Sequence, residues 1–309
     1  MMASDHRPSG DARPAARRQR EGHSLVVVFT TMSPTLPRSL SPSRVTSFTD
    51  CPLAFRFRAI DRIPEAPSPH ATKGTLVHRV LERLVWEHAA GDRTPAVAAA
   101  ELDRAWADLV DDPRFGSLEL DEGARAAFRA DAAQLVENYF ALEDPDAVEA
   151  VGVEVSLEAD LGGLRLRGII DRLDRMEDGT LVVVDYKTGR APSPRFERVK
   201  LTGVHLYALL CELALGAVPV EVRLLHLREP VVITAYPSPQ TLRGQRQRTM
   251  AVWHAIERAC EHADFQPRPS GLCAYCSYQP LCPAFGGTPP DLVPPDLVPP
   301  ELVPPASVS

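Results

Sequence analysis

The stretch GIIDRLDRMEDGTLVVVDYKTG, residues 168–189, restricts the fold of this chain more than any other segment. Two apolar-rich runs flank Asp178-Gly179, a pair suited to a tight hairpin turn because both residues tolerate a positive φ. The run before the turn, Leu164 to Leu173, alternates apolar and polar, whereas Leu181 to Val184 is apolar without interruption. Alternation suits a strand with one wet face, and an unbroken run suits a strand covered on both faces, which calls for helices on both sides of the sheet. Upstream, Val151, Val153, Val155 and Leu157 also alternate, and Gly162-Gly163 turns. A meander of three strands is expected, with the last one innermost.

Around this meander the period changes to that of a helix. Between Thr75 and Ala90, the side chains Leu76, Val77, Val80, Leu81, Leu84 and Val85 fall on one arc, with His78 at its edge. Residues 97–111 and 121–141 also read as amphipathic helices, separated by Pro113 and Gly116. A helix over about 203–215, a strand over 220–227 and a long helix over about 240–262 follow. The fold class is therefore α/β.

Both ends of the chain lack such periodicity. Residues 1–38 are rich in Arg, Pro, Ser and Gly, include the basic run Arg13 to Arg20, and read as a disordered extension, with Met32 as the expected true start. Residues 287–309 carry PPDLVPPDLVPPELVPP, whose five-residue repeat removes backbone donors and favours extended polyproline conformations. This segment reads as a disordered spacer or docking tail. The folded domain is expected over 39–286.

Composition narrows the function classes. With 41 acidic and 34 basic side chains the chain cannot be a bulk-basic nucleic-acid coat, although a local basic groove remains open. Arginines 44, 56, 58 and 62 lie near Cys51, and Arg165, Arg167, Arg172, Arg190, Arg195, Arg198 and Lys200 flank the acidic segment. No run approaches the roughly 20 apolar residues of a membrane span, and Leu25 to Phe29 is shorter than a signal-peptide core, so a cytoplasmic location without membrane association is expected. Six cysteines are too few for a disulfide scaffold in a chain of 309 residues, and clustered thiols in a reducing compartment suit metal binding.

A two-residue turn centred on Asp178-Gly179 would set Asp171 opposite Tyr186, within one position of Asp185. Asp185 and Lys187 are two apart on a strand and leave it on one face. Two carboxylates and an ammonium at one end of a sheet suit phosphodiester hydrolysis assisted by Mg²⁺ or Mn²⁺. An isolated Asp-x-Lys is more commonly a strand-end surface pair, but the second aspartate and the buried run beside it favour the metal reading.

Cys273, Cys276 and Cys282 form C-x2-C-x5-C, and Cys51 is the candidate fourth ligand. Four thiolates suit zinc or an iron–sulfur cluster. A zinc knuckle normally uses two local pairs, so one distant cysteine with a tight trio leans toward [4Fe–4S]. Cys211 and Cys260 lie in apolar helical stretches and read as core residues.

GIIDRLD followed by VVVDYKTG resembles two motifs of the PD-(D/E)XK nuclease superfamily, in particular its RecB-family exonucleases, and KGTLVHRVLERL resembles that family's helix bearing a metal-binding histidine. One cysteine before the core and three after it resemble the iron–sulfur staple of AddB-type and CRISPR-adaptation nucleases. The resemblance implies a restriction-endonuclease-like core, a central mixed sheet flanked by helices, with an iron–sulfur-stapled helical periphery. It implies catalytic Asp171, Asp185 and Lys187, with Mg²⁺ or Mn²⁺ held by His78, Asp171, Asp185 and the Tyr186 carbonyl, and a [4Fe–4S] cluster on Cys51, Cys273, Cys276 and Cys282. Glu154 is a weaker candidate acidic residue. The family's Gln-x-x-x-Tyr helix is matched at Tyr207, a substrate-positioning residue, but Gly203 stands where the glutamine is expected. The implied activity is an exonuclease on single-stranded or end-processed DNA in repair or recombination. The alternatives are a CRISPR-adaptation-type nuclease and an inactive DNA-binding module on the same fold. The chain has no G-x-x-x-x-G-K-[ST] loop, so a helicase or recombination partner would be a separate polypeptide.

Overall fold

The structure is a computed structural model that describes residues 35–192 and 194–291, with the side chains of 194–202 outside the description. The expected N-terminal extension to position 34, including Met32 and the basic run, lies outside the described residues, as does the proline repeat from 292 onward.

Prolines inside the domain act as helix starters. The helices α1 (Pro42–Asp50), α2 (Pro52–Phe55), α3 (Pro69–Glu87), α4 (Pro95–Val110) and α5 (Pro113–Gly116) each open on one, and α6 (Glu122–Tyr139) follows. Ser41, Ser68, Thr94 and Asp112 precede four of these prolines, and each side chain accepts a backbone N–H of the first turn. A first-turn proline forfeits no helical hydrogen bond, and its fixed φ already suits the helix.

The sheet then forms from β1 (Ala150–Leu161), β2 (Leu164–Arg175) and β3 (Leu181–Lys187). After the crossover helix α7 (Pro194–Leu215) come β4 (Glu221–His226), β5 (Val231–Ala235) and α8 (Pro239–Glu261). The described residues form a five-stranded sheet in sequential order. β3 and β4 run parallel and the other neighbours antiparallel, so the sheet is mixed. Neither α1 nor β5 was legible in the hydrophobic pattern, and α7 starts at Pro194 rather than near 203, because its first turns lack an apolar arc.

Helices cover both faces of β3. Val183 lies in a core shared with α7 and α8, while Val182, Val184 and Tyr186 lie in a second core built on α3, α4 and α6. Burial of each such valine contributes on the order of 2 kcal/mol, so the innermost position of β3 is the one its composition favours. No helix among the described residues is long and apolar enough to cross a membrane.

The hairpin between β2 and β3 differs from expectation by one residue. Arg172 pairs with Val184 and Arg175 with Leu181. The loop comprises Glu177, Asp178 and Gly179, closed by hydrogen bonds between Met176 and both Gly179 and Thr180. Gly179 takes φ +83°, and the Asp178 carboxylate accepts the Thr180 N–H at 2.9 Å. A three-residue loop with a left-handed glycine shifts the pairing by one. Continued along the strands, this register brings Asp171 level with Asp185 instead of Tyr186.

A second irregularity lies across from it. The β1–β2 ladder pairs Val153 with Arg172 and Val155 with Ile170, passing over Glu154 and Asp171. Glu154 adopts φ +46°, a left-handed conformation that costs a non-glycine residue about 1–2 kcal/mol. Here the two-residue alternation breaks, since Ile170 and Leu173 both enter the first core. Asp171 sits at this break, within β2.

Candidate active site

The elements converge at the carboxyl end of β3. α3 approaches closely because residue 74 is glycine: a Cβ there would sit 3.3 Å from Thr188 Oγ1, just past Lys187. One turn further along α3, His78 faces the sheet. Its Nε2 lies 3.0 Å from the Tyr186 carbonyl oxygen, and its Nδ1 lies 3.5 Å from Asp171 Oδ2. The Tyr186 N–H donates to the same Asp171 oxygen at 2.7 Å. Tyr186 thus touches two candidate ligands with its two backbone groups.

One ligand atom from each of His78, Glu154 and Asp171 lies within 4.8 Å of the others, a grouping of three that suits a metal ion. The strained φ of Glu154 delivers its carboxylate to Asp171. Asp185 stands outside this trio, paired with Lys187. Asp185 is buried at 4% exposure, whereas the Lys187 side chain is 44% exposed and open to an incoming anion.

The charges act on one another. Burial opposes the charged form of His78, but the hydrogen bond and charge of Asp171, with the charge of Asp185, outweigh it and raise its pKa. Burial also raises the Asp185 pKa, with Lys187 opposing and Asp171 adding to the rise. Glu154 is pushed up by desolvation and by the Asp171 and Glu82 carboxylates. The Tyr207 phenol on α7 lies above its ordinary range, first through burial and then through the Asp185 and Asp171 carboxylates. A Cβ at Gly203 would meet nothing within 4 Å, so the position of the missing glutamine is open space.

Of the arginines near the site, Arg56, Arg58 and Arg165 are paired with Asp61, Glu65 and Glu158. Arg44, Arg62 and Arg167 behave differently. Arg44 donates to the Ser39 carbonyl at 3.0 Å, and burial together with the charges of Arg167 and Arg62 lowers its pKa. Among the described residues none of these three has a carboxylate partner. Arg195, Arg198 and Lys200 have side chains outside the description.

The four cysteines singled out by spacing, Cys51, Cys273, Cys276 and Cys282, line one cavity of about 250 Å³. The backbone N–H of Arg268 points at Cys51 Sγ at 3.4 Å and that of Ser270 at Cys273 Sγ at 3.3 Å. Burial and the three neighbouring thiols raise the Cys276 pKa. Cys211 and Cys260 are buried elsewhere in the core, as expected.

Arg172, counted from the sequence among the basic side chains flanking the site, is instead fully buried and paired with Glu143 and Asp174, because an arginine in an alternating strand resembles a surface residue. Sequence reasoning also ranked Glu154 low. A strained φ leaves no signature in a single sequence.

A component of an ATP-dependent helicase/deoxyribonuclease from Streptococcus mutans is 27% identical over 160 residues, covering 50% of this chain and 14% of its own length. The "Gene 69 protein" of Mycobacterium phage D29 is 26% identical over 269 residues, covering 79% of this chain and 96% of its own. A solved structure of an exonuclease candidate from Eubacterium rectale is 10% identical with a TM-score of 0.47, covering 78% of this chain and 88% of its own. A sequence model of the PD-(D/E)XK nuclease superfamily matches residues 39–283, and the chain belongs to that superfamily.

Proposed function

We propose that this protein is a metal-dependent deoxyribonuclease that degrades DNA from an end, with a [4Fe–4S] cluster on Cys51, Cys273, Cys276 and Cys282. The observation that carries the activity is the placement of His78, Glu154 and Asp171 within 4.8 Å of one another, beside the Asp185–Lys187 pair. Two carboxylates and an imidazole fit a hard divalent cation, and the nitrogen donor suits Mn²⁺ better than Mg²⁺. His78, Glu154 and Asp171 would hold it, with the Tyr186 carbonyl and Asp185 alongside. When bound, the cation offsets charge on the scissile phosphate and acidifies a water molecule. Lys187 presents its half-exposed ammonium to the phosphate and stabilises developing negative charge. Asp185 holds that ammonium in place, and Tyr207 restrains Asp185 from the α7 side.

Arg44, Arg62 and Arg167, which have no carboxylate partner among the described residues, suit a DNA phosphate. Arg167→Ala should weaken binding of a single-stranded oligonucleotide and reduce the slope of log affinity against log salt by about 0.7. An unchanged slope in fluorescence anisotropy would remove the arginines from the DNA path.

The raised His78 pKa sets a pH dependence. A protonated imidazole cannot ligate, so Mn²⁺ affinity should fall about tenfold per pH unit below that pKa, with the decline starting above the ordinary 6.5. Calorimetric Mn²⁺ titrations between pH 5.5 and 8.5 read this directly, and a flat profile would take His78 out of the ligand set.

Thiols that share one cavity and accept backbone N–H groups support the cluster reading. So does their origin in the chain, since one comes from ahead of the sheet and three from a single loop after α8, where a zinc knuckle would use two local pairs. The likeness of half the chain to part of a helicase/deoxyribonuclease supports a separate helicase partner.

The test is degradation of end-labelled single- and double-stranded DNA across a Mg²⁺ and Mn²⁺ titration, with Asp185→Ala and Lys187→Ala as controls. Progressive loss of the labelled end in the wild type alone supports the reading. A second reading, DNA binding without cleavage, draws on the open space at Gly203, and a fully loaded wild type that binds both DNAs and cuts neither would establish it.

A further inference from the structure

Arg172, next to Asp171 on β2, is fully buried at 0% exposure. Its Nε and Nη2 donate to the two Asp174 oxygens at 2.8 and 2.9 Å. Its Nη1 and Nη2 donate to Glu143, just beyond α6, at 2.5 and 3.0 Å. The same Nη1 also donates to two phenols, Tyr186 Oη at 2.7 Å and Tyr139 Oη at 3.2 Å. The guanidinium lies 5.6 Å from the Tyr186 ring centroid, on its face. A buried ion cluster of this kind is a weak source of stability, because desolvation offsets the attraction. Its location relative to the site gives it a different use.

Tyr186 connects the two. Its ring packs edge-on against His78, with centroids 5.8 Å apart, and its hydroxyl reaches the cluster, while its N–H holds Asp171 Oδ2 and its carbonyl oxygen faces His78 Nε2. We propose that Arg172 is a positioning residue of the metal site: by clamping the Tyr186 phenol it fixes the peptide groups that aim Asp171 and present the Tyr186 carbonyl. Arg172 follows Asp171 directly, so one guanidinium restrains the backbone on both strands of the site. Partners behind metal ligands set ligand orientation and thereby affinity. The inference rests on the metal reading of the site.

The two tyrosines on Nη1 allow a controlled test. Tyr186→Phe and Tyr139→Phe each delete one buried phenol oxygen from the same guanidinium, but only Tyr186 carries backbone contacts to the candidate ligands. Mn²⁺ affinity is measured by calorimetry on the full chain, with thermal unfolding of the metal-free proteins in parallel. Tyr186→Phe should weaken Mn²⁺ binding about fivefold and lower kcat with KM for DNA unchanged, while Tyr139→Phe stays within about twofold of wild type at a similar loss in Tm. Arg172→Lys should weaken binding further; if that variant fails to fold, the tyrosine pair still decides. Equal Mn²⁺ affinity in the two tyrosine variants, whether both unchanged or both reduced, would overturn the positioning role. A wild type that binds no Mn²⁺ would overturn the metal reading itself.

Discussion

Asp185→Asn is expected to cut DNA at least about 10³-fold more slowly than the wild type while melting at the same temperature or higher. The loss corresponds to about 4 kcal/mol of transition-state stabilisation, of the size expected when a charged group that orders the reacting centre becomes neutral. The stability gain follows from burial. Asp185 is withdrawn from solvent, and desolvation raises its pKa, so the ionised carboxylate favours the unfolded chain. A folded-state pKa above the unfolded one means that stability falls as pH rises from the unfolded value through the folded one. The amide is nearly isosteric and uncharged, and it releases Lys187, which is exposed enough to be solvated alone. Initial rates on end-labelled DNA and a thermal melt of the metal-free protein check both halves. A variant that keeps more than about a tenth of the wild-type rate would show that Asp185 only packs.

Cys51→Ala is expected to abolish iron binding and to lower Tm by on the order of 10 °C, with the geometry around Asp171, Asp185 and Lys187 preserved. Thiolate bonds to a cluster exist only in the folded chain, so their free energy adds to folding. A few kcal/mol in a domain of this size corresponds to about 10 °C. Cys51 lies between α1 and α2, and the other three cysteines follow α8, so the cluster would close the chain around the whole sheet. Some of that closure survives without it, because the Tyr278 hydroxyl donates to the Ile63 carbonyl at 3.1 Å and its ring stacks edge-on against Phe57. The remaining contacts should keep Cys51→Ala folded at low temperature with measurable nuclease activity. Cys211→Ala, in the α7 core, serves as the control that loses packing but no iron. Iron and sulfide analysis with a melting curve reads the result. Full iron content in Cys51→Ala would assign the fourth ligand elsewhere.

Much of the site was legible because its signals are local. Asp185 and Lys187 share a face through strand alternation alone, and the run Leu181 to Val184 announced a doubly covered strand. The α3 arc was legible for the same reason, and with it the edge position of His78. Register was less secure, since a single left-handed glycine lengthened the turn and moved every pair by one. α2, α5 and β5 escaped because four or five residues hold too little periodicity to read, and α1 because its nine residues carry a single buried side chain, Phe48.

The sequence by itself determined the layer order, the helical and strand periods, and the residue types able to bind a cation, because each depends on neighbours a few positions apart. Only the tertiary structure decided that Glu154 joins His78 and Asp171, that Arg172 lies behind them as a buried cation, and that the charges of Arg167 and Arg62 act on Arg44. Those outcomes depend on a strained φ, on a break in strand alternation and on contacts between residues tens to more than a hundred positions apart. Such contacts form only when the whole chain packs, and no local pattern carries them.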